Sequence, residues 1–238
     1  MPEFTELEWA IVPGLEEWAE VATYDAPGVG AERVSAEELE RLAADDVLRQ
    51  TRGAERGLEE MSRRAWKSCV VVSDSGGCAA ACRLASMRPD AVQALALGHA
   101  CLSLGSEGER APINAEVQSA MERLANHDLQ EFTRHALTQL TGGSYDEELA
   151  SQIVERVPMD LMTRAWLAGS AGELIRGHDL PLLFVKHEGC LMFTDEGFAA
   201  AVAAFPEART ASVPDKPSVS EEFADLLREF CEETLSSA

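Results

Sequence analysis

The stretch Ser68-Cys-Val-Val-Val-Ser-Asp-Ser-Gly-Gly77, with the residues that follow it to Leu97, constrains the fold more than any other. Cys69 to Val72 is a short apolar run rich in β-branched residues, which predicts a fully buried parallel strand. Ser73-Asp74-Ser75-Gly76-Gly77 then predicts a tight turn, and Cys78 to Met87 a helix. A strand that passes into a helix over five residues needs small side chains on both sides of the turn. The pattern small-x-Ser-x-small supplies them with Ser73, Ser75 and Gly77.

This turn resembles the nucleophile elbow of the α/β-hydrolase family, G-x-S-x-G. With Ser75 as the central residue, Leu84-Ala85 fall on the helix, Pro89 just past its end, and Val92, Leu95 and Leu97 on the next strand. Placing Asp74 at the centre, as in the dehalogenase branch, shifts each of these positions by one and fits worse.

The totals narrow the class. Twenty basic residues against 42 acidic ones leave a formal charge of -22 over 238 residues, which repels phosphate backbones and anionic lipid. Neither nucleic acid nor a membrane is therefore expected as a partner. No apolar run approaches a membrane span and Met-Pro-Glu-Phe begins no signal peptide, so the cytoplasm is the expected location. The six cysteines, at 69, 78, 82, 101, 190 and 231, form no C-x-x-C pair and read as small buried hydrophobes. No metal site and no cofactor are expected.

Along the chain, Trp9-Ala-Ile-Val resembles the family's strand before the oxyanion loop, with Pro13-Gly14 where many members carry His-Gly. Val21-Ala-Thr-Tyr-Asp25 resembles the strand that ends in D-x-x-G-x-G, here Asp25, Gly28 and Gly30. Only 10 residues separate Gly14 from Asp25, where members usually fit a longer loop and helix. Ser35-Ala-Glu-Glu38 is a capping box that opens helix to about Trp66, with a break expected near Gly53. Val92 to Leu102 is the next strand. From Pro112 to Gly177 apolar positions recur at helical spacing, which predicts three or four amphipathic helices. Leu182 to Lys186 is a strand, Thr194 to Phe205 a helix, Ala208 to Val213 the last strand and Ser220 to Leu235 the closing helix.

The expected fold class is α/β: a mostly parallel sheet flanked by helices, α/β-hydrolase-like, with an inserted helical cap. The core comprises residues 1–104 and 178–238, and the cap 105–177.

The resemblance implies a Ser-His-Asp triad, with Ser75 as nucleophile and the backbone N–H of Gly76 as an oxyanion donor. The family's acid falls on Cys190, with Glu188 beside it as the alternative. Its histidine belongs near Val213-Pro-Asp-Lys-Pro-Ser218, yet the last histidine in the chain is His187. Two readings follow. In one the triad is degenerate, and a small, largely apolar molecule is bound or converted in a capped pocket without ordinary triad hydrolysis. Gly14, Leu15, Asp74, Gly76, Cys190, Met162 and Trp166 would contact it. In the other the chain is an ester or amide hydrolase with a rearranged site: Ser75 attacks, His99 or His187 is the base, and Glu188 or Asp74 orients it. A non-catalytic interaction protein that reuses the fold is a further alternative.

Overall fold

In a computed structural model of the chain, the described residues are 11–25, 27–28, 34–74, 77–98, 171–188, 195–214 and 220–235. Their sheet has four strands in the order β1-β2-β3-β4, all parallel: β1 (Cys69–Asp74), β2 (Val92–Gly98), β3 (Leu182–His187) and β4 (Arg209–Val213). The helices are α1 (Val12–Glu16), α2 (Ala36–Ala44), α3 (Asp46–Arg63), α4 (Cys78–Met87), α5 (Asp195–Ala204) and α6 (Glu221–Leu235). A 3-10 turn spans Gly172–Leu174.

Alternation along the strands builds a core on each face. Leu95, Leu97 and Phe184 point to one side, where they meet Ala54 of α3, the buried face of α4, and Ala201 of α5. Phe205, just past α5, closes edge-to-face on Phe184, with ring centroids 5.8 Å apart. Ala94, Ala96, Leu183 and Val185 point to the other side, against Ile11, Leu15, Phe223, Leu227 and Phe230. Each large side chain so buried contributes about 1.5–3 kcal/mol. Three layers result, helices on both faces of a parallel sheet.

The helix starts follow local chemistry. Ser35 caps α2 by accepting from the Glu38 N–H at 3.1 Å, as the capping box predicts. Asp45 ends α2 and caps α3, accepting from the Leu48 N–H at 2.9 Å. The break in the long helix therefore falls at Asp45 and not near Gly53. Gly53 and Gly57 serve packing instead: a Cβ on Gly53 would stand 3.0 Å from Ala80 Cβ, and one on Gly57 2.9 Å from Leu84 Cδ2 and Tyr24 Oη. The α3–α4 seam needs both glycines for its close approach.

Three further expectations are corrected. Val12, read with Trp9 to Ile11 as a strand, and Pro13-Gly14, read as the loop after it, lie in the helix Val12–Glu16, with Pro13 in its first turn. Residues 21–25 carry no strand pairing, although Asp25 is buried. β1 is half-buried for most of its length, because it stands at the end of the described strand order.

Ala171 and Ile175 are buried among the side chains of α4, β2 and β3, so the core reaches back to Ala171. Residues 101–170, which hold most of the expected cap, lie outside the described residues. No helix among the described residues is long and apolar enough to cross a membrane.

Candidate functional site

The four parallel strands bring their C-terminal ends to one edge of the sheet, where open α/β sheets bind ligands. The register levels these ends: Asp74 pairs with Gly98, Gly98 with Val185, and His187, two residues further on, with Val213. β1 ends at Asp74 and α4 begins at Cys78, so only residues 75–77 make the strand-to-helix turn. Gly77 is the N-cap of α4 and offers no side chain, so the first turn has no side-chain cap.

The reason for small residues is visible in the turn. A Cβ on Gly77 would stand 2.5 Å from Ser73 Oγ, well inside contact distance, and 3.9 Å from Ser73 Cβ. Ser73 and Gly77, the outer members of the small-x-Ser-x-small pattern, thus stand close enough that neither position has room for a larger side chain.

One link at this edge has no counterpart in the motif. The Cys78 thiol donates to the Gly98 carbonyl at 3.2 Å, tying the first residue of α4 to the last residue of β2. Cys78 is fully buried. At the far side of the sheet the Glu188 N–H donates to the Val213 carbonyl at 2.8 Å, which ties the ends of β3 and β4.

The expected site residues divide into two groups. Ser75, Gly76, His99, Cys190, Met162 and Trp166 lie outside the described residues. Asp74 is buried at the end of β1, while Glu188 is exposed just past β3. His187 is the last residue of β3. Gly14 and Leu15 lie within α1: Leu15 is buried with Phe223 and Leu227 of α6, and Gly14 is exposed with nothing within 4 Å of where its Cβ would be.

Three of the described thiols, Cys69, Cys82 and Cys231, are not poised as nucleophiles. Burial pushes the Cys82 thiol up to about 12 and raises Cys69 and Cys231 as well. Tyr24, packed on Gly57, is likewise pushed up to about 12, chiefly by burial and then by the nearby Cys69. Among the described residues no group of three His, Cys, Asp or Glu side chains could hold a metal ion.

No family model and no curated protein matches this sequence. Solved structures do. A bromoperoxidase from Bacillus anthracis superposes with a TM-score of 0.71 at 15% identity, covering 96% of this chain and 86% of that one. A hydrolase from Oleispira antarctica gives 0.67 at 12% identity, over 96% and 85%. An alpha/beta hydrolase enzyme from a Medee basin deep-sea metagenome library gives 0.51 at 14% identity, over 77% and 72%. Together with the parallel order β1-β2-β3-β4 and the strand-turn-helix at residues 69–87, these matches establish that the chain has the α/β-hydrolase fold.

Proposed function

We propose that this chain carries an incomplete Ser-His-Asp triad and binds or converts a small, largely apolar molecule, without ordinary triad hydrolysis. The observation that carries this reading is the connection between β4 and α6. β4 closes the sheet at Val213 and α6 starts at Glu221, and no histidine occurs at residues 214–220 or anywhere after His187. The connection after the last strand is where the family resemblance places the general base. A serine hydroxyl without a base beside it is a poor nucleophile at neutral pH. Gly98 ends β2, and the sequence that follows holds the stretch from Pro112 whose helical spacing suggests a cap.

The second reading is a serine hydrolase with a rearranged site, and the strand register favours one histidine within it. His99 follows Gly98 directly, and Gly98 is level with Asp74, the residue before Ser75. One interstrand step separates those two, about 4.8 Å. His187 stands two strands from β1, about 10 Å across, and two residues beyond the level of Asp74.

A fluorophosphonate probe, which bonds covalently to activated serines, separates the two readings. The folded protein is expected to stay unlabelled, and to melt at a higher temperature when saturated with a small apolar ligand. Labelling that requires Ser75 would overturn the first reading in favour of the second.

A further inference from the structure

We draw no further inference here: the strongest candidate, the half-buried Arg83 guanidinium in the seam between α3 and α4, which among the described residues lacks a carboxylate partner and makes a 3.4 Å bond to Gln50 Oε1, carries nothing because its unsatisfied donor, Nε, is sealed from solvent and so from any incoming anion.

Discussion

Ser73 and Gly77 stand against each other between β1 and α4, with room between them for a hydrogen atom and not for a methyl group. A Cβ at 77 would meet Ser73 Oγ at 2.5 Å but Ser73 Cβ at an ordinary 3.9 Å, so the conflict lies with the hydroxyl alone. Gly77→Ala is therefore expected to destabilise the protein by about 1–3 kcal/mol, the usual cost of forcing volume into a packed place. Ser73→Ala should recover most of that loss when combined with it. The check is urea unfolding of both single variants and the double variant, read as a double-mutant cycle. Additive effects would show that the two residues do not press on each other.

The α3–α4 seam predicts a contrast between its two glycines. At Gly53 the obstructing atom is Ala80 Cβ, which cannot rotate away, so Gly53→Ala must push the helices apart. At Gly57 the obstructing atoms are the ends of the Leu84 and Tyr24 side chains, which can move. Gly53→Ala is expected to cost about 1–3 kcal/mol even after the gain in helix propensity. Gly57→Ala should cost less, while displacing Tyr24 from its buried position. Phenol titration followed by ultraviolet absorbance would then find Tyr24 ionising closer to its ordinary value of 10.0. An unchanged titration would show that Tyr24 does not depend on Gly57.

How far the sequence carried depended on how local the signal was. Cys69 and Val92 begin strands and Cys78–Met87 is a helix as expected, because β-branched runs and helical spacing are strong signals within one element. The four-residue apolar run at Trp9 to Val12 was ambiguous between strand and helix. Pro13, favoured in the first turn of a helix, was the cue that pointed the other way. Gly53 looked like a helix breaker because its role is tertiary: only the neighbouring Ala80 shows why a glycine stands there. Asp45, of a residue type favoured at helix starts, marks the true break. At the site, the need for small residues at 73 and 77 was legible from the motif. The Cys78–Gly98 link was not, since it joins residues 20 apart across two elements.

Alkaline stability should carry the mark of two buried acids. Tyr24 has an ordinary pKa of 10.0 and a folded one of about 12, and Cys82 is raised from 9.0 to about 12. Both are neutral when protonated, so the unfolded chain loses these protons at lower pH than the folded one. Stability must then fall as pH rises, from about 9 for Cys82 and about 10 for Tyr24, until about 12. Below about pH 8 neither group contributes appreciable slope. Unfolding free energies measured from pH 8 to pH 11.5 test this: Tyr24→Phe should flatten the decline above pH 10, and Cys82→Ala the part that starts near 9. A decline that is the same in both variants would mean that these groups do not govern it.

The chemistry of Ser75 is the decisive prediction. Removing the histidine of a Ser-His-Asp triad costs on the order of 10⁶-fold in turnover, because the hydroxyl proton then has nowhere to go as the bond forms. A chain whose last histidine is His187, with none after β4, should show that deficit in its unaltered form. The expected result is a fluorophosphonate labelling rate no greater than that of Ser75→Ala, on protein shown to be folded by circular dichroism. His99→Ala and His187→Ala should then leave the rate where it is. If labelling is instead fast and vanishes in Ser75→Ala, the histidine variants identify the base. The register Asp74↔Gly98 puts His99 one strand from the turn, so His99→Ala would abolish labelling while His187→Ala would not. Fast labelling lost only in His187→Ala would overturn the distance argument, because it requires a base from two strands away to reach the turn.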